Sequence, residues 1–81
     1  MPTVFRYRGY RFFFYSNEGD PLEPLHIHAI KGECVAKFWI EPEIVVAQNY
    51  GMASSELTKL IKVINTNKGL IRKAWNEYFN R

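Results

Sequence analysis

Cysteine is nearly absent. Cys34 stands alone, so no internal disulfide can form and a cysteine-built zinc site is disfavoured. No apolar run approaches the ~18 residues of a membrane span. The N-terminus lacks a charged segment leading into an apolar stretch, so no signal peptide is expected and the cytoplasm is the default compartment. A phosphate-cradling glycine loop, a nucleophile elbow and a paired-carboxylate motif are all missing. Repeats, low-complexity tracts and a linker between domains are missing too. Acids are scarce at both ends. Residues 1–16 carry Arg6, Arg8 and Arg11 with no acid, and the last third carries Lys59, Lys62, Lys68, Arg72, Lys73 and Arg81 against Glu56 and Glu77. The acids gather between them, as Glu18, Asp20, Glu23, Glu33, Glu41 and Glu43. Basic flanks around an acidic waist suggest an anionic partner on one side, with a plain solvated helix face as the commoner cause.

What is present suits a small core. The chain has 81 residues, 47% of them hydrophobic and 16% aromatic, enough apolar area for one domain spanning residues 1–81. Leu25 to Ile40, LHIHAIKGECVAKFWI, reads as two strands folded back around Lys31-Gly32, since glycine supplies the positive φ of a tight turn. In that register Ile30 faces Glu33, His28 faces Val35 and His26 faces Lys37. Side chains alternate along a strand. One face therefore holds Leu25, Ile27, Ala29, Cys34, Ala36, Phe38 and Ile40, while the other holds His26, His28, Ile30, Glu33, Val35, Lys37 and Trp39. The first face goes to the core, Cys34 included, and the second carries any chemistry.

Thr3 to Ser16 reads as an earlier hairpin turning at Arg8-Gly9. Tyr7 then faces Tyr10 and Phe5 faces Phe12, with Phe14 on the same core side. Across from them Arg6 faces Arg11, beside Val4, Phe13 and Tyr15. Opposed like charges on a sheet are unfavourable unless neutralised, by Glu18 or by a bound anion. Residues 17–24 form a loop. Residues 43–48 give a fifth, short strand, and Asn49-Tyr50-Gly51 turns the chain. From Ser54 the apolar spacing becomes helical: Leu57, Leu60, Ile61 and Ile64, then Leu70, Ile71, Ala74, Trp75, Tyr78 and Phe79. Ser54 or Ser55 caps the start, and Asn67 is available to cap a second helix. Two helices are expected, with one bent helix as the alternative. The fold class is α+β: an antiparallel sheet in residues 3–48 and a helical region in 54–80, packed on one sheet face.

Three constellations could carry function. His26 and His28, at i and i+2, share a face and could serve as an acid/base pair; a metal would need Glu33, Glu18 or Asp20 as a third ligand. Arg6, Arg11, Tyr15, Lys37 and Trp39, if both hairpins join one sheet, would form a basic and aromatic stripe of the kind that holds single-stranded RNA or DNA. A buried Trp39 would instead mean core. Last, the two helices superficially suggest helix-turn-helix DNA binding, but Asn76 is nearly the only base-reading side chain on the second.

The stretches PTVFRYRGYRFFFYSNEGDPLEPLHIHAIKG, AKFWIEP and SSELTKLIKVINTNKGLIRKAWNEYF resemble the small bacterial family catalogued as domain of unknown function forty-one-sixty. That family commonly carries proline before its His-x-His, where this chain has Leu25 and places Pro24 one position earlier. The resemblance implies a component of a two-gene, toxin–antitoxin-like cassette. The expected function is binding of a protein partner or nucleic acid through the sheet face; the alternative is a toxin-like ribonuclease using His26 and His28, with Lys37 or Arg11 steadying the phosphate. No cofactor and no membrane partner is expected. A homodimer is plausible through the exposed edge at residues 43–48.

Overall fold

A computed structural model describes residues 3–15 and 23–79. Five strands run in sequence order across one antiparallel sheet: β1 (Thr3–Tyr7), β2 (Tyr10–Phe13), β3 (His26–Lys31), β4 (Cys34–Trp39) and β5 (Val45–Tyr50). Two helices follow, α1 (Ser54–Thr66) and α2 (Lys68–Phe79). The α+β architecture expected from the sequence is the one observed. No helix among the described residues is long and apolar enough to cross a membrane.

The first hairpin has the expected register, with Tyr7 opposite Tyr10, Arg6 opposite Arg11 and Phe5 opposite Phe12. Arg8 (φ 45°) and Gly9 (φ 85°) both take positive φ, the requirement of a type I′ turn whose twist matches the strands. A bulge between Thr3 and Phe5 breaks the alternation. Thr3 thereby pairs with Phe13, and Val4 packs against the core instead of standing beside Phe13 and Tyr15 as expected.

The second hairpin turns one residue later than expected. Its loop is Gly32-Glu33, with Lys31 opposite Cys34, because Gly32 (φ 61°) occupies the first central position, as type II′ turns require. His28 therefore faces Lys37 and His26 faces Trp39, not Val35 and Lys37. Moving the loop by one residue slides the pairing by two, so each side chain keeps its face.

The fifth strand spans Val45–Tyr50, later than residues 43–48, and Asn49 and Tyr50 belong to it. The reversal comes at Gly51 (φ 90°) and Met52, where the Asn49 side chain accepts from the Met52 N–H (3.1 Å) and donates to the Met52 carbonyl (3.0 Å). Ala53, not Ser54 or Ser55, is the N-cap of α1. It has no capping oxygen, so Glu56 does the work from the third helical position, its Oε1 accepting the Ala53 N–H at 3.2 Å. Two helices form, separated by Asn67 alone. Asn67 serves as the C-cap of α1 (φ −104°, ψ 18°), while its carbonyl accepts the Ile71 N–H at 2.9 Å.

The helices cover one face of the sheet. Phe12, Phe14, Ile27, Ala29, Ala36, Phe38 and Ile40 meet Leu60, Ile64, Ile71, Trp75 and Phe79, all buried. Cys34 packs at the margin of this core, half-buried. Leu70 and Tyr78, expected on the apolar stripe, are 48% and 42% exposed. They sit beside the stripe rather than on it, since the buried set in α2 steps by four from Ile71 to Trp75 to Phe79.

Candidate functional site: the helix-free sheet face

Pairing across the strands fixes which side chains share the face turned away from the helical layer, which α2 reaches only at His26 through Trp75. Arg6, Arg11, Ile30, Val35 and Tyr50 form one row across all five strands. Thr3, Phe13, His28, Lys37 and Gln48 form the next. His26, Trp39 and Val45 form the third. The two hairpins thus belong to one sheet, and the basic and aromatic sets expected from the sequence join into one surface.

Each cation of this surface that the sheet holds near its middle lies over a ring. The Arg11 guanidinium sits 4.5 Å from the Phe13 ring centre, and Lys37 Nζ sits 4.4 Å from that of Trp39. Such contacts keep a cation and an aromatic plane together at the surface. Arg11 also donates from Nη1 to Thr3 Oγ1 at 3.3 Å, and Lys37 pairs with Glu23 Oε1 at 3.1 Å. Arg6 is exposed opposite half-buried Arg11, and among the described residues neither has a carboxylate partner. Glu18 and Asp20, considered as neutraliser and metal ligands, lie outside the described residues.

The histidines lie deeper than the cations. His28 is 5% exposed, with its ring stacked on Phe13 at 5.5 Å and edge-on to Tyr15 at 4.5 Å. His26 is fully buried. Its Nδ1 lies 2.8 Å from the Pro24 carbonyl, and its ring packs against Trp39, His28 and, at 5.1 Å, Trp75 of α2. The two imidazole centres are 5.2 Å apart, near enough to exchange a proton through one intermediary, but the His26 ring has no access to solvent. No metal-ligating cluster occurs among the described residues. Glu33, the remaining ligand considered, is exposed in the second turn, away from the histidines.

Trp39 is neither core nor fully exposed; it is half-buried between Lys37 and His26. Tyr15, at 37% exposure, borders the same face. Tyr50, 65% exposed at the end of the first row, lies in β5 rather than in the expected turn, and only the extra length of that strand puts it on this face. The sequence gives no sign of Glu23 either, since a loop acid does not reveal which lysine it will meet. The middle of the face is closed to solvent, with Phe13, His28 and His26 at 1%, 5% and 0% exposure, so what it presents outward is Arg6, Tyr15 and Tyr50 with half-buried Arg11, Lys37 and Trp39. Two cavities of about 400 and 280 Å³ lie elsewhere, one between the hairpin turns and α1, the other between Pro42 and α1.

No curated protein and no solved structure matches the chain. A family model does, over residues 9–76, which covers β2 to most of α2 and every member of the face except those on β1. The chain belongs to the family described as Domain of unknown function (DUF4160).

Proposed function

We propose that the sheet face turned away from the helical layer binds a single-stranded nucleic acid, with Arg6, Arg11 and Lys37, the last held over the Trp39 ring, on phosphates and with Tyr15 and Tyr50 offering planes to bases. The observation that carries this reading is the interleaving of cations and rings along adjacent rows, with Glu23 the one acid among the described residues of the face. Arg11 and Lys37 stand two strands and one row apart, about 12 Å by ordinary strand spacing and rise, or roughly three to four nucleotides of stacked strand. Backbone contacts of this kind are electrostatic and sequence-tolerant, and stacking on exposed rings adds to them. His26 and His28 then serve as the buried support that holds Phe13, Tyr15 and Trp39 in place. The full burial of His26 gives the ribonuclease reading little support, because one of its two proton carriers would have to meet substrate.

The setting proposed is a cytoplasmic, two-gene toxin–antitoxin-like cassette, in which a cognate small protein competes for or completes this face. Self-association is proposed along β5. That edge strand, VVAQNY, carries no charge and no proline, whereas the opposite edge, β1, carries Arg6 and a bulge. Charges and bulges are what ordinarily discourage edge-to-edge pairing.

Fluorescence anisotropy with labelled single-stranded RNA and DNA oligonucleotides tests the reading. Binding should weaken as salt rises, and Arg6→Ala with Arg11→Ala should flatten the log–log salt dependence by about 1.4, two phosphate contacts at ~0.7 each. Absence of binding at low salt, or a salt slope untouched by the double substitution, would overturn it.

A further inference from the structure

The two hairpin turns lie at the same end of the sheet, since Arg11 pairs with Ile30 and the strands run on from there into both loops. A Cβ built on Gly9 would come within 3.3 Å of Lys31 Cε, so Lys31 reaches across from the second turn to the first. The first turns of α1 bring Glu56 and Lys59 to the same place. Between them is a cavity of about 400 Å³ lined by Tyr7, Arg8, Tyr10, Lys31, Glu56 and Lys59, with Leu60 at its floor.

Its charge is unbalanced. Arg8, Lys31 and Lys59 face it against one carboxylate. That carboxylate, Glu56, is engaged at both oxygens, by the Tyr10 hydroxyl at Oε2 and by the Ala53 N–H at Oε1. The ion pairs among the described residues, Lys37–Glu23 and Arg72–Glu41, involve none of these cations. Lys31 Nζ lies 4.9 Å from the Tyr10 ring centre, and the Arg8 guanidinium 5.6 Å from that of Tyr7. Tyr7 is half-buried, packing against the core and lining the cavity beside Arg8.

We propose that this cavity binds a phosphate monoester carried on a nucleoside, the dianion among Arg8, Lys31 and Lys59 and the base against Tyr7. Three cations against one carboxylate leave two positive charges, the complement of a doubly ionised monoester. The volume falls in the range of small-ligand sites, and inorganic phosphate alone would leave most of it unfilled. Tyr7 beside Arg8 supplies the flat, polarisable wall that a base requires. Two sources share this chemistry, a free mononucleotide and the 5′-phosphorylated end of a strand. The site uses none of the residues proposed to bind nucleic acid on the sheet face, so either reading can fail without the other.

Isothermal titration of the intact protein with AMP, adenosine and inorganic phosphate tests it, alongside oligonucleotides bearing a 5′-phosphate or a 5′-hydroxyl. AMP should bind, with adenosine and inorganic phosphate each at least tenfold weaker. Lys31→Gln with Lys59→Gln, both exposed positions, should weaken AMP at least tenfold while circular dichroism stays native, and Lys73→Gln, exposed on α2 and outside both proposed sites, should leave AMP binding unchanged. Preference for AMP assigns the free nucleotide and preference for the 5′-phosphorylated strand assigns the strand end; either supports the proposal. No AMP binding in the millimolar range together with equal affinity for the two strands overturns it. So does adenosine or phosphate matching AMP, or a double variant that binds as the wild type does.

Discussion

Replacing His26 separates a structural imidazole from a catalytic one. The ring is fully buried, has Nδ1 within hydrogen-bond distance of the Pro24 carbonyl, and touches Trp39, His28 and Trp75. His26→Ala therefore removes a ring from between β4 and α2 and leaves a cavity among side chains too large to collapse into it. Truncating a buried aromatic of similar size costs about 3–5 kcal/mol, and losing the bond to Pro24 adds about 1 kcal/mol. The sum, about 4–6 kcal/mol, is comparable to the whole stability of many small domains. Urea denaturation followed by tryptophan fluorescence should show the variant largely unfolded before denaturant is added. His26→Phe, which keeps the ring volume, should recover part of that loss. If His26→Ala instead unfolds within 1 kcal/mol of the wild type, the ring is not a structural support. The burial argument against its meeting a substrate would then fail.

Other expectations follow from particular contacts. Tyr10 donates to Glu56, and that bond, with burial, pushes its hydroxyl from 10.0 up to about 12, while the same bond holds Glu56 below the usual carboxylate range. The raised tyrosine contributes stability present in full below pH 10 and lost as pH rises toward 12; the lowered Glu56 contributes stability present above its unfolded pKa and lost as pH falls through its folded one. A tyrosinate absorbance titration should therefore show one late-ionising tyrosine, missing in Tyr10→Phe; unchanged late absorbance in that variant would contradict the assignment. Gly51→Ala should destabilise more than Gly32→Ala. Both need positive φ, but a Cβ at Gly51 meets Cys34 Sγ at 3.1 Å, whereas Gly32 faces open space. Cys34→Ala should rescue only the steric part in a chemical-denaturation cycle, and full rescue would show that φ strain is negligible there. In α2, Trp75→Ala should cost about 3–5 kcal/mol and exposed Leu70→Ala within about 0.5 kcal/mol; similar thermal melts for the two would refute the helix orientation.

Much of this was legible because strand parity is a local property. Arg8-Gly9 set the first register outright. The second hairpin kept its faces even though Gly32 fell at the first rather than the second turn position, since that error slides the pairing by two. The bulge that sends Val4 to the core left no mark in the sequence, because nothing between Thr3 and Phe5 distinguishes a bulged strand from a regular one. The site divides in the same way. That Arg11, His28, Lys37 and Trp39 share a face follows from alternation. The depth of His26 does not, because it depends on Trp75, which a helix delivers from the far end of the chain. The cavity at the turns was invisible for the same reason. Tyr10 and Glu56 are separated by 46 positions, and only the tertiary fold makes Glu56 both a helix cap and the acceptor of a phenol.

The direct test of the central claim is an amide chemical-shift map recorded while single-stranded RNA is added to the isotopically labelled protein. Shifts should concentrate at Arg11, Phe13, Lys37, Trp39 and Tyr50, with Ile64 and Ile71 behind the sheet unmoved. Shifts confined to α1 and α2, or none at all under low salt, would contradict it.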